Sequence, residues 1–461
     1  MKYILLAFVL FLLKLFYFRI ADYYNIVDKP NHRSAHTVIT LRGGGIIYWF
    51  TALVYFLQNG LDSSLFFAGI TLVGVVSLWD DIQSLPNKVR ILAHFTAISL
   101  VFYNLDLFVI LPIWGVVIAY FVFIGIINAY NFMDGINGIT GVYTLVVLGS
   151  LLYVNQYLHE FTAFDFIVYP MIASVVFLFF NFRKKAKCFA GDIGSISIAF
   201  WVIYLLLQLV LKTDSILWIL FLAVYGTDTA GTIMHRLYLR ENVFEAHRHH
   251  FYQILSNDYK IQHRIVAVGY GLTQVIVSIL VIFLYNKLPD FVIFALILVP
   301  LFALYSLKFY LIKKIMPKGN KIPRLIEGGI YTDDRGHISF VNDFKFDTVE
   351  RFYIIENSEE NPVRAWQGHK IDHKYFYCLQ GVVKVHYVKI DNWESPSKNL
   401  KVESTILKAM ESNVFHIPEG YANAIQSLET GSKLISFSTL PLGRASEDDV
   451  RFDSNMWKID E

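Results

Sequence analysis

The feature that most constrains this chain is a series of apolar runs, at about 4–18, 43–59, 64–79, 91–107, 109–127, 137–156, 165–182, 195–211, 215–231, 265–286 and 289–311. A bilayer core holds no water to satisfy exposed backbone groups, so each crossing takes a helix of about 20 apolar residues. The runs predict a polytopic α-helical membrane protein with about eleven transmembrane helices, and an odd count puts the chain ends on opposite sides. Composition agrees: 55% of the 461 residues are hydrophobic and 17% are charged, where soluble domains are about a quarter charged. The first run, within KYILLAFVLFLLKLFYFRI, has the look of a signal peptide. No small-residue cleavage site follows it, so it reads as a retained first helix. A net charge of +2 without a basic array interleaved with aromatics argues against a nucleic-acid partner. Cys188 and Cys378 lie far apart and give neither a disulfide framework nor a zinc spacing.

Loop charge sets the sidedness, because cytoplasmic loops carry the excess of Lys and Arg. One alternate set of loops holds Arg19, Lys29, Arg33, Arg42, Lys88, Arg90, Arg183, Lys184, Lys185, Lys187, Arg236, Arg240, Arg248, Lys260 and Arg264. The other holds little beyond Lys2, Lys212 and Lys287. The N-terminus is therefore expected in the periplasm and the C-terminal part in the cytoplasm. Past about residue 327 the apolar pattern changes to period two, in VVKVHYVKI (382–390), STILKAM (404–410) and KLISFSTL (433–440). Turn signals separate these runs, which predicts an all-β sandwich or small barrel. The expected organisation is a membrane domain at 1–315, a linker at 316–326 and a β domain at 327–461.

The conspicuous polar motifs of the membrane part fall in the basic loops. They are DKPNHRSAHTVITLRGG (28–44), WDDIQSLPNKVR (79–90), NAYNFMDGING (128–138), NFRKKAKCFAGDIGS (181–195) and HRHH (247–250). Cytoplasmic loops are polar in any case, which accounts for the lysines and arginines. It accounts less well for Asp80, Asp81, Asp134 and Asp192 at helix ends, where a buried unpaired carboxylate is costly. Oxygen ligands of this kind suit Mg²⁺, which takes one or two carboxylates together with substrate phosphates. Asn128, Asn131 and Asp134 recur every third residue and would share one helical face. Asp80 and Asp81 are adjacent and would diverge. Arg33 and Arg42 supply charge for phosphate, and Gly43–Gly45 lets backbone approach a ligand. Together these parts suit transfer of a phosphorylated group between a soluble nucleotide and a lipid. The rival readings are a transporter and a sugar-binding scaffold without transferase activity. Carriers place ionisable groups near the bilayer midplane, and here only Lys14 and His94 interrupt the helix centres. Lys14 is expected to snorkel to the interface and His94 to be buried against a hydrogen-bonding partner.

In these five motifs the chain resembles the polyprenyl-phosphate N-acetylhexosamine-1-phosphate transferases of glycosyltransferase family 4, which include phospho-MurNAc-pentapeptide transferase. The resemblance covers about residues 1–315. It implies attack by undecaprenyl phosphate on a UDP-N-acetylhexosamine in the bacterial inner membrane, with release of UMP and a requirement for Mg²⁺ or Mn²⁺. That step starts cell-surface glycans such as O-antigen. The resemblance implies catalytic roles for Asp80, Asp81 and Asp192, with Asp81 and Asp192 on the metal, and leaves open which of Asp80 and Asp81 meets it. It places Arg33, Arg42, Asn128, Asn131, Asp134, Asn137, Lys187 and Phe189 around the nucleotide and its phosphates, with Phe189 on the uracil. His247, His249 and His250 would contact the donor sugar or its phosphates. Many relatives have Asp at the position of Asn137; asparagine there occurs in members that use 6-deoxy amino sugars, and the donor is expected to be of that kind. Ser34 and Ala190 also depart from the usual lysine and methionine.

Residues 327–461 resemble the cupins that act on nucleotide deoxysugars, the dTDP-sugar 3,4-ketoisomerases and dTDP-4-dehydrorhamnose 3,5-epimerases. The matching pieces are DDRG (333–336), VRAWQGHK (363–370), LQG (379–381) and FHIPEGYANAIQSL (415–428). The resemblance implies a jelly roll that takes a dTDP-sugar, with Arg364, Gln367, His369, Lys370 and Tyr421 as candidate site residues. Gln367 stands where the ketoisomerase pattern has the first of two histidines, and a glutamine cannot move a proton near neutral pH. The domain is expected either to isomerise a nucleotide deoxysugar through His369 or to bind one. A metal held by His369, His373 and His416 would lack the usual acidic ligand. A homodimer is compatible with both resemblances and is left open.

Overall fold

The computed structural model describes residues 1–28, 39–239, 249–315, 322–357 and 363–459. They form two compact units, Met1–Lys313 and Lys314–Glu461.

The first unit is helical: α1 Lys2–Tyr23, α2 Ile46–Asn59, α3 Ser64–Ile82, α4 Asn87–Asn104, α5 Ile113–Met133, α6 Ile139–Tyr157, α7 Phe164–Asn181, α8 Gly191–Thr213, α9 Ala223–Tyr238, α10 His263–Leu284 and α11 Asp290–Ile315. Every expected apolar window falls on one of these helices. Among the described residues nine spans are long and apolar enough to cross a membrane, fewer than the eleven expected. The two that fall short are α2 and α4, for local reasons. Gly60, at φ +67°, ends α2 after 14 residues, and α4 opens on Asn87, Lys88 and Arg90.

Helix α8 is the hub. It packs against α2, α3, α5 and α6, and most of its side chains from Ile193 to Leu206 are buried. An apolar helix surrounded on all sides is a core helix. By contrast, α5 exposes Ile113, Trp114 and Phe121, as a lipid-facing helix does. Without a hydrophobic drive between helices in lipid, close approach depends on small residues. Gly45 and Gly194 meet in this way: a Cβ on Gly45 would run into the Gly194 Cα. That contact draws the start of α2 onto the start of α8.

Lys14 does not snorkel. It is fully buried on α1, donates to the Gly44 carbonyl and lies 5.4 and 5.1 Å from the ring centres of Phe18 and Phe177. The Gly44 carbonyl is the partner that holds the ammonium inside the unit. His94 is buried as expected, but no hydrogen-bond partner for it is found among the described residues.

The second unit is a jelly roll. Besides a hairpin of Gly329–Asp333 with Gly336–Phe340, its strands are β1 Arg324–Ile326, β2 Arg351–Glu356, β3 Val363–His369, β4 Lys374–Gln380, β5 Val382–Lys389, β6 Glu403–Lys408, β7 Val414–Ile417, β8 Tyr421–Ser427, β9 Lys433–Ser438 and β10 Val450–Arg451. One antiparallel sheet has the order β6-β5-β8-β3-β10 and the other β1-β7-β4-β9-β2. The eight strands β2 to β9 thus alternate between sheets, except for the β5–β6 hairpin within one sheet, in the double Greek-key order that defines a jelly roll. Inward positions at period two, among them Phe376, Val385, Phe415 and Leu434, form the core between the sheets.

Candidate active site and comparison with known proteins

Four chain segments build the polar centre of the membrane unit. Val27–Asp28 pairs with Thr40–Leu41, which delivers the chain to Arg42. The next residues zip onto the strand-like turn before α8: Phe189 N–H donates to Leu41 O (2.9 Å), Gly44 N–H to Phe189 O (2.8 Å) and Gly45 N–H to Ala190 O (2.8 Å). Gly43 has φ +72°, and a side chain on it would strike the Tyr17 hydroxyl. Gly191, at φ +71°, turns the chain into α8 so closely to Asp81 that a Cβ would meet its carboxylate.

That approach lets Asp81, on the last turn of α3, cap the N-terminus of α8. Its Oδ1 accepts from Asp192 N–H at 3.0 Å and its Oδ2 from Ile193 N–H at 3.3 Å. Unsatisfied amides and the helix dipole favour a negative charge at this place. Arg42 completes the cluster, with Nε 2.8 Å from Asp81 Oδ1 and Nη2 3.4 Å from Asp192 Oδ1. The Asp81 side chain is wholly shielded, whereas that of Asp192 is 16% exposed. Among the described residues Asp192 Oδ2 has no protein partner. Asp80 faces elsewhere, as adjacent residues on a helix must: it accepts from Leu85 N–H (2.6 Å) and from Arg90 Nη1 (2.8 Å). Its charge and that of Arg90 still act on Asp192.

Asp134, just past α5, accepts from Thr140 Oγ1 at 2.6 Å. Burial pushes its carboxyl up to about 7, with the charges of Asp192 and Asp81 adding to the effect. Asn131 Oδ1 accepts from Ser195 Oγ in the first turn of α8 (3.0 Å). Asn128 turns back onto its own helix, to Ile124 O. Asn137 donates from Nδ2 to Arg183 O (2.9 Å) and from its backbone N–H to His263 Nδ1 (3.4 Å). A cavity of ≈ 740 Å³ opens there, lined by Asn137, Phe189, Arg183, Lys184, Lys185, Lys260, His263 and Arg264 among others. The side chain of Lys187 is exposed and is not among the lining residues. Lys260 and Arg264 entered the sequence reading only as loop charge and His263 not at all; KIQHR (260–264), at the start of a long apolar run, is the signal that points to them.

Arg33 and His247 lie outside the described residues. His250 is buried, its Nδ1 3.2 Å from Asp228 Oδ1. Asp228, on α9, also accepts from Phe251 N–H (3.0 Å), Thr232 Oγ1 (3.2 Å) and the Tyr270 hydroxyl (2.6 Å). Tyr252 then donates to Phe132 O at 2.9 Å, tying the segment after HRHH to NAYNFMDGING. His249 offers its backbone carbonyl to Thr232 Oγ1 (3.4 Å). Among the described residues no group of three His, Cys, Asp or Glu side chains could hold a metal ion unaided.

The jelly roll has its own cavity, ≈ 630 Å³, lined by Arg364, Gln367 and His369 together with Arg351, Asn423, Asp449 and Arg451. His369 Nδ1 lies 3.2 Å from Asp448 O, and its buried Nε2 has no partner among the described residues. Gln367 Nε2 donates to Asp449 Oδ1 at 2.8 Å. Burial works to raise the Asp448 carboxyl, but His369 and the N–H groups of Asp372, Ile371 and Lys370 outweigh it and hold the carboxyl below its ordinary range. Lys370 reaches over the Trp393 ring (5.7 Å), and Tyr421 packs in the core opposite His369; neither lines the cavity. His373 Nδ1 and His416 Nε2 are 3.0 Å apart. His369 is held by Asp448 instead, so the three histidines form no common ligand group among the described residues.

A family model described as Glycosyl transferase family 4 matches residues 63–210, the stretch from α3 to α8 that carries Asp80, Asp81, Asp134 and Asp192. The chain is 28% identical over 292 residues to the undecaprenyl-phosphate alpha-N-acetylglucosaminyl 1-phosphate transferase of Escherichia coli K12, covering 57% of this chain and 74% of that protein. The Yersinia pestis protein of the same description is 26% identical over 289 residues, covering 57% and 75%. The sugar 3,4-ketoisomerase QdtA of Thermoanaerobacterium thermosaccharolyticum, solved with TDP, is 21% identical with a TM-score of 0.24, covering 29% of this chain and 90% of that one. The assignment of the second unit rests on its strand order, not on that score. Residues 63–210 of the membrane unit thus match the Glycosyl transferase family 4 model, and the second unit is a jelly roll by its strand order.

Proposed function

We propose that the membrane unit transfers an N-acetylhexosamine-1-phosphate group from a UDP-sugar to undecaprenyl phosphate and releases UMP. The observation that carries this reading is Arg42 bridging Asp81 and Asp192 at the N-terminus of α8. Bound Mg²⁺, or Mn²⁺ in its place, would neutralise charge on the donor diphosphate, and Asp192 with Asp81 would hold it. Two carboxylates fit such an ion, which draws its remaining ligands from phosphates and water. Asp192 Oδ2, which the protein leaves without a partner among the described residues, is the oxygen suited to it.

The donor enters a cavity rich in Lys and Arg, which raises the local concentration of a nucleotide diphosphate. Phe189 stacks on the uracil. Asn137 spends its amide N–H on Arg183 O and keeps a carbonyl oxygen to accept from the base, a task that needs no charge. His249 and His250, with His247, meet the donor sugar or its phosphates. The lipid phosphate attacks the sugar-bearing phosphorus; a bond to that phosphorus forms as its bond to the bridging oxygen breaks, and UMP leaves with the electron pair. A phosphate monoester has a second pKa of about 6 and is already largely ionised near neutral pH. Asp80 and Asp81 therefore need not act as strong bases, and alignment and charge neutralisation carry the catalysis. Asp80 acts on the acceptor side through Arg90.

We further propose a bacterial inner-membrane location with the N-terminus periplasmic and the jelly roll cytoplasmic, a donor of the 6-deoxy amino sugar type, and a jelly roll that binds or isomerises a dTDP-sugar. The arginines at its cavity, and His369 Nε2 with no partner among the described residues, support the last point. Membranes incubated with a panel of UDP-N-acetylhexosamines, lipid phosphate and Mg²⁺ test the transferase by UMP release. Asp192→Ala and Asp81→Ala are expected to abolish it with insertion intact; full activity in both variants removes the assignment.

A further inference from the structure

We propose that Lys14 and Tyr17 of the first helix are positioning residues for the transferase, fastening the Arg42–Gly44 turn from beneath so that Arg42 stays between Asp81 and Asp192. This rests on the transferase reading of that site. The two side chains stand one turn apart on one face of α1. Tyr17 donates to Arg42 O at 2.8 Å, and Lys14 donates to Gly44 O. Between those carbonyls Gly43 has φ +72°, so the turn has few side-chain contacts of its own to fix it. Both carbonyls lie in the Leu41–Gly45 segment, whose Leu41, Gly44 and Gly45 bond to Phe189 and Ala190 and hold the start of α2 against the start of α8.

The ammonium of Lys14 pairs with no carboxylate among the described residues and is fully buried within a membrane helix, a placement that costs several kcal/mol and marks function more often than packing. Lys14 also lies beside Cys188, and both side chains close on Gly44. The charge of Asp134 also acts at Cys188.

The test compares Lys14→Met, which removes donor and charge, Lys14→Gln, which keeps an N–H donor, and Tyr17→Phe, all as full-length protein in membranes. A hydrogen bond from a charged group is worth about 1.5–3 kcal/mol, so Lys14→Met is expected to lower kcat for UMP release about tenfold to a hundredfold. KM for the nucleotide sugar should move less than about twofold, because the cavity lining is untouched. Lys14→Gln should recover most of the loss and Tyr17→Phe should show a smaller fall. In a Cys378→Ser background, Cys188, which packs against Gly44, should react with a maleimide faster in Lys14→Met than in the parent. Turnover and labelling unchanged in Lys14→Met would overturn the proposal, as would a fall that Gln does not relieve. If the parent itself releases no UMP, the transferase reading fails, and the labelling rates alone then decide whether Lys14 fastens the turn.

Discussion

Arg42 Nε stands 2.8 Å from Asp81 Oδ1, and the Asp81 side chain has no exposure to solvent. Removing the arginine leaves that carboxylate buried with only the two α8 amides to answer it. Breaking one half of a buried ion pair costs about 3–5 kcal/mol, whereas removing both charges together costs far less. Arg42→Met is therefore expected to lower the thermal midpoint in detergent more than Asp81→Asn does. The double variant should be more stable than the sum of the two single losses indicates. All three should fail to release UMP. Additive losses in a thermal-unfolding cycle would show that the pair is not coupled.

Asp228 gathers one side chain from α10, one from its own helix and the backbone of the segment after HRHH. Asparagine has the same shape but offers one acceptor oxygen where the carboxylate offers two. Interhelical hydrogen bonds in membranes are worth about 0.6–1.7 kcal/mol each, so Asp228→Asn should cost about 2 kcal/mol of stability. Activity should fall further than that loss explains, because Tyr252 carries the displacement to Phe132 and the Asn131–Asp134 turn. Tyr270→Phe, which removes one donor, should show a milder version of both effects. UMP release per folded molecule separates the two contributions.

Much of this was legible in the primary structure, and the exceptions share a cause. Apolar length placed all eleven helices, because a helix in lipid is dictated by local composition. Period-two alternation placed three strands of the jelly roll, β5, β6 and β9, for the same reason. What local pattern does not encode is which carboxylate turns where. Asp80 and Asp81 are equivalent in the text; only the close approach of Gly191 and the reach of Arg90 separate them. Lys14 was misjudged because its partner, the Gly44 carbonyl, lies thirty residues away and carries no sequence signal of its own. Asp448 and Asp449, which hold His369 and Gln367, were invisible because about eighty residues of chain separate the partners.

The paired histidines on the jelly roll give a pH dependence. Burial, with the charges of His373 and Arg324 adding to it, lowers His416 to about 3, against about 6.5 for a histidine in the unfolded chain. Below pH 6.5 the unfolded chain then binds the extra proton and the folded one does not, so stability falls as pH drops through 6.5 and goes on falling towards 3. At pH 5 the loss amounts to about 2 kcal/mol. Hydrogen-exchange protection of β4 and β7 in the full chain, corrected for the intrinsic pH dependence of amide exchange, should fall between pH 7 and 5. His416→Gln should flatten that dependence, and an equal slope in the variant would exclude His416 as the source.

Gln367 and His369 divide what a two-histidine site would share. Gln367 is spent on Asp449, whose other oxygen lies 3.2 Å from Arg451 Nη2, so this pair holds its charge balanced and moves no proton. His369 keeps Nε2 unpartnered among the described residues, with Nδ1 against Asp448. His369 Nε2 is therefore the histidine nitrogen placed to move a proton in the cavity. With a dTDP-4-keto-6-deoxyhexose in D₂O, the full chain in detergent is expected to take up deuterium beside the ketone. A positioned general base is worth about 10²–10⁴-fold, so His369→Asn should slow uptake by at least about a hundredfold, whereas Gln367→Asn should leave it within a few-fold. If the parent chain binds TDP but takes up no deuterium, the jelly roll is a binding module, and the loss of one histidine from the pair is the reason.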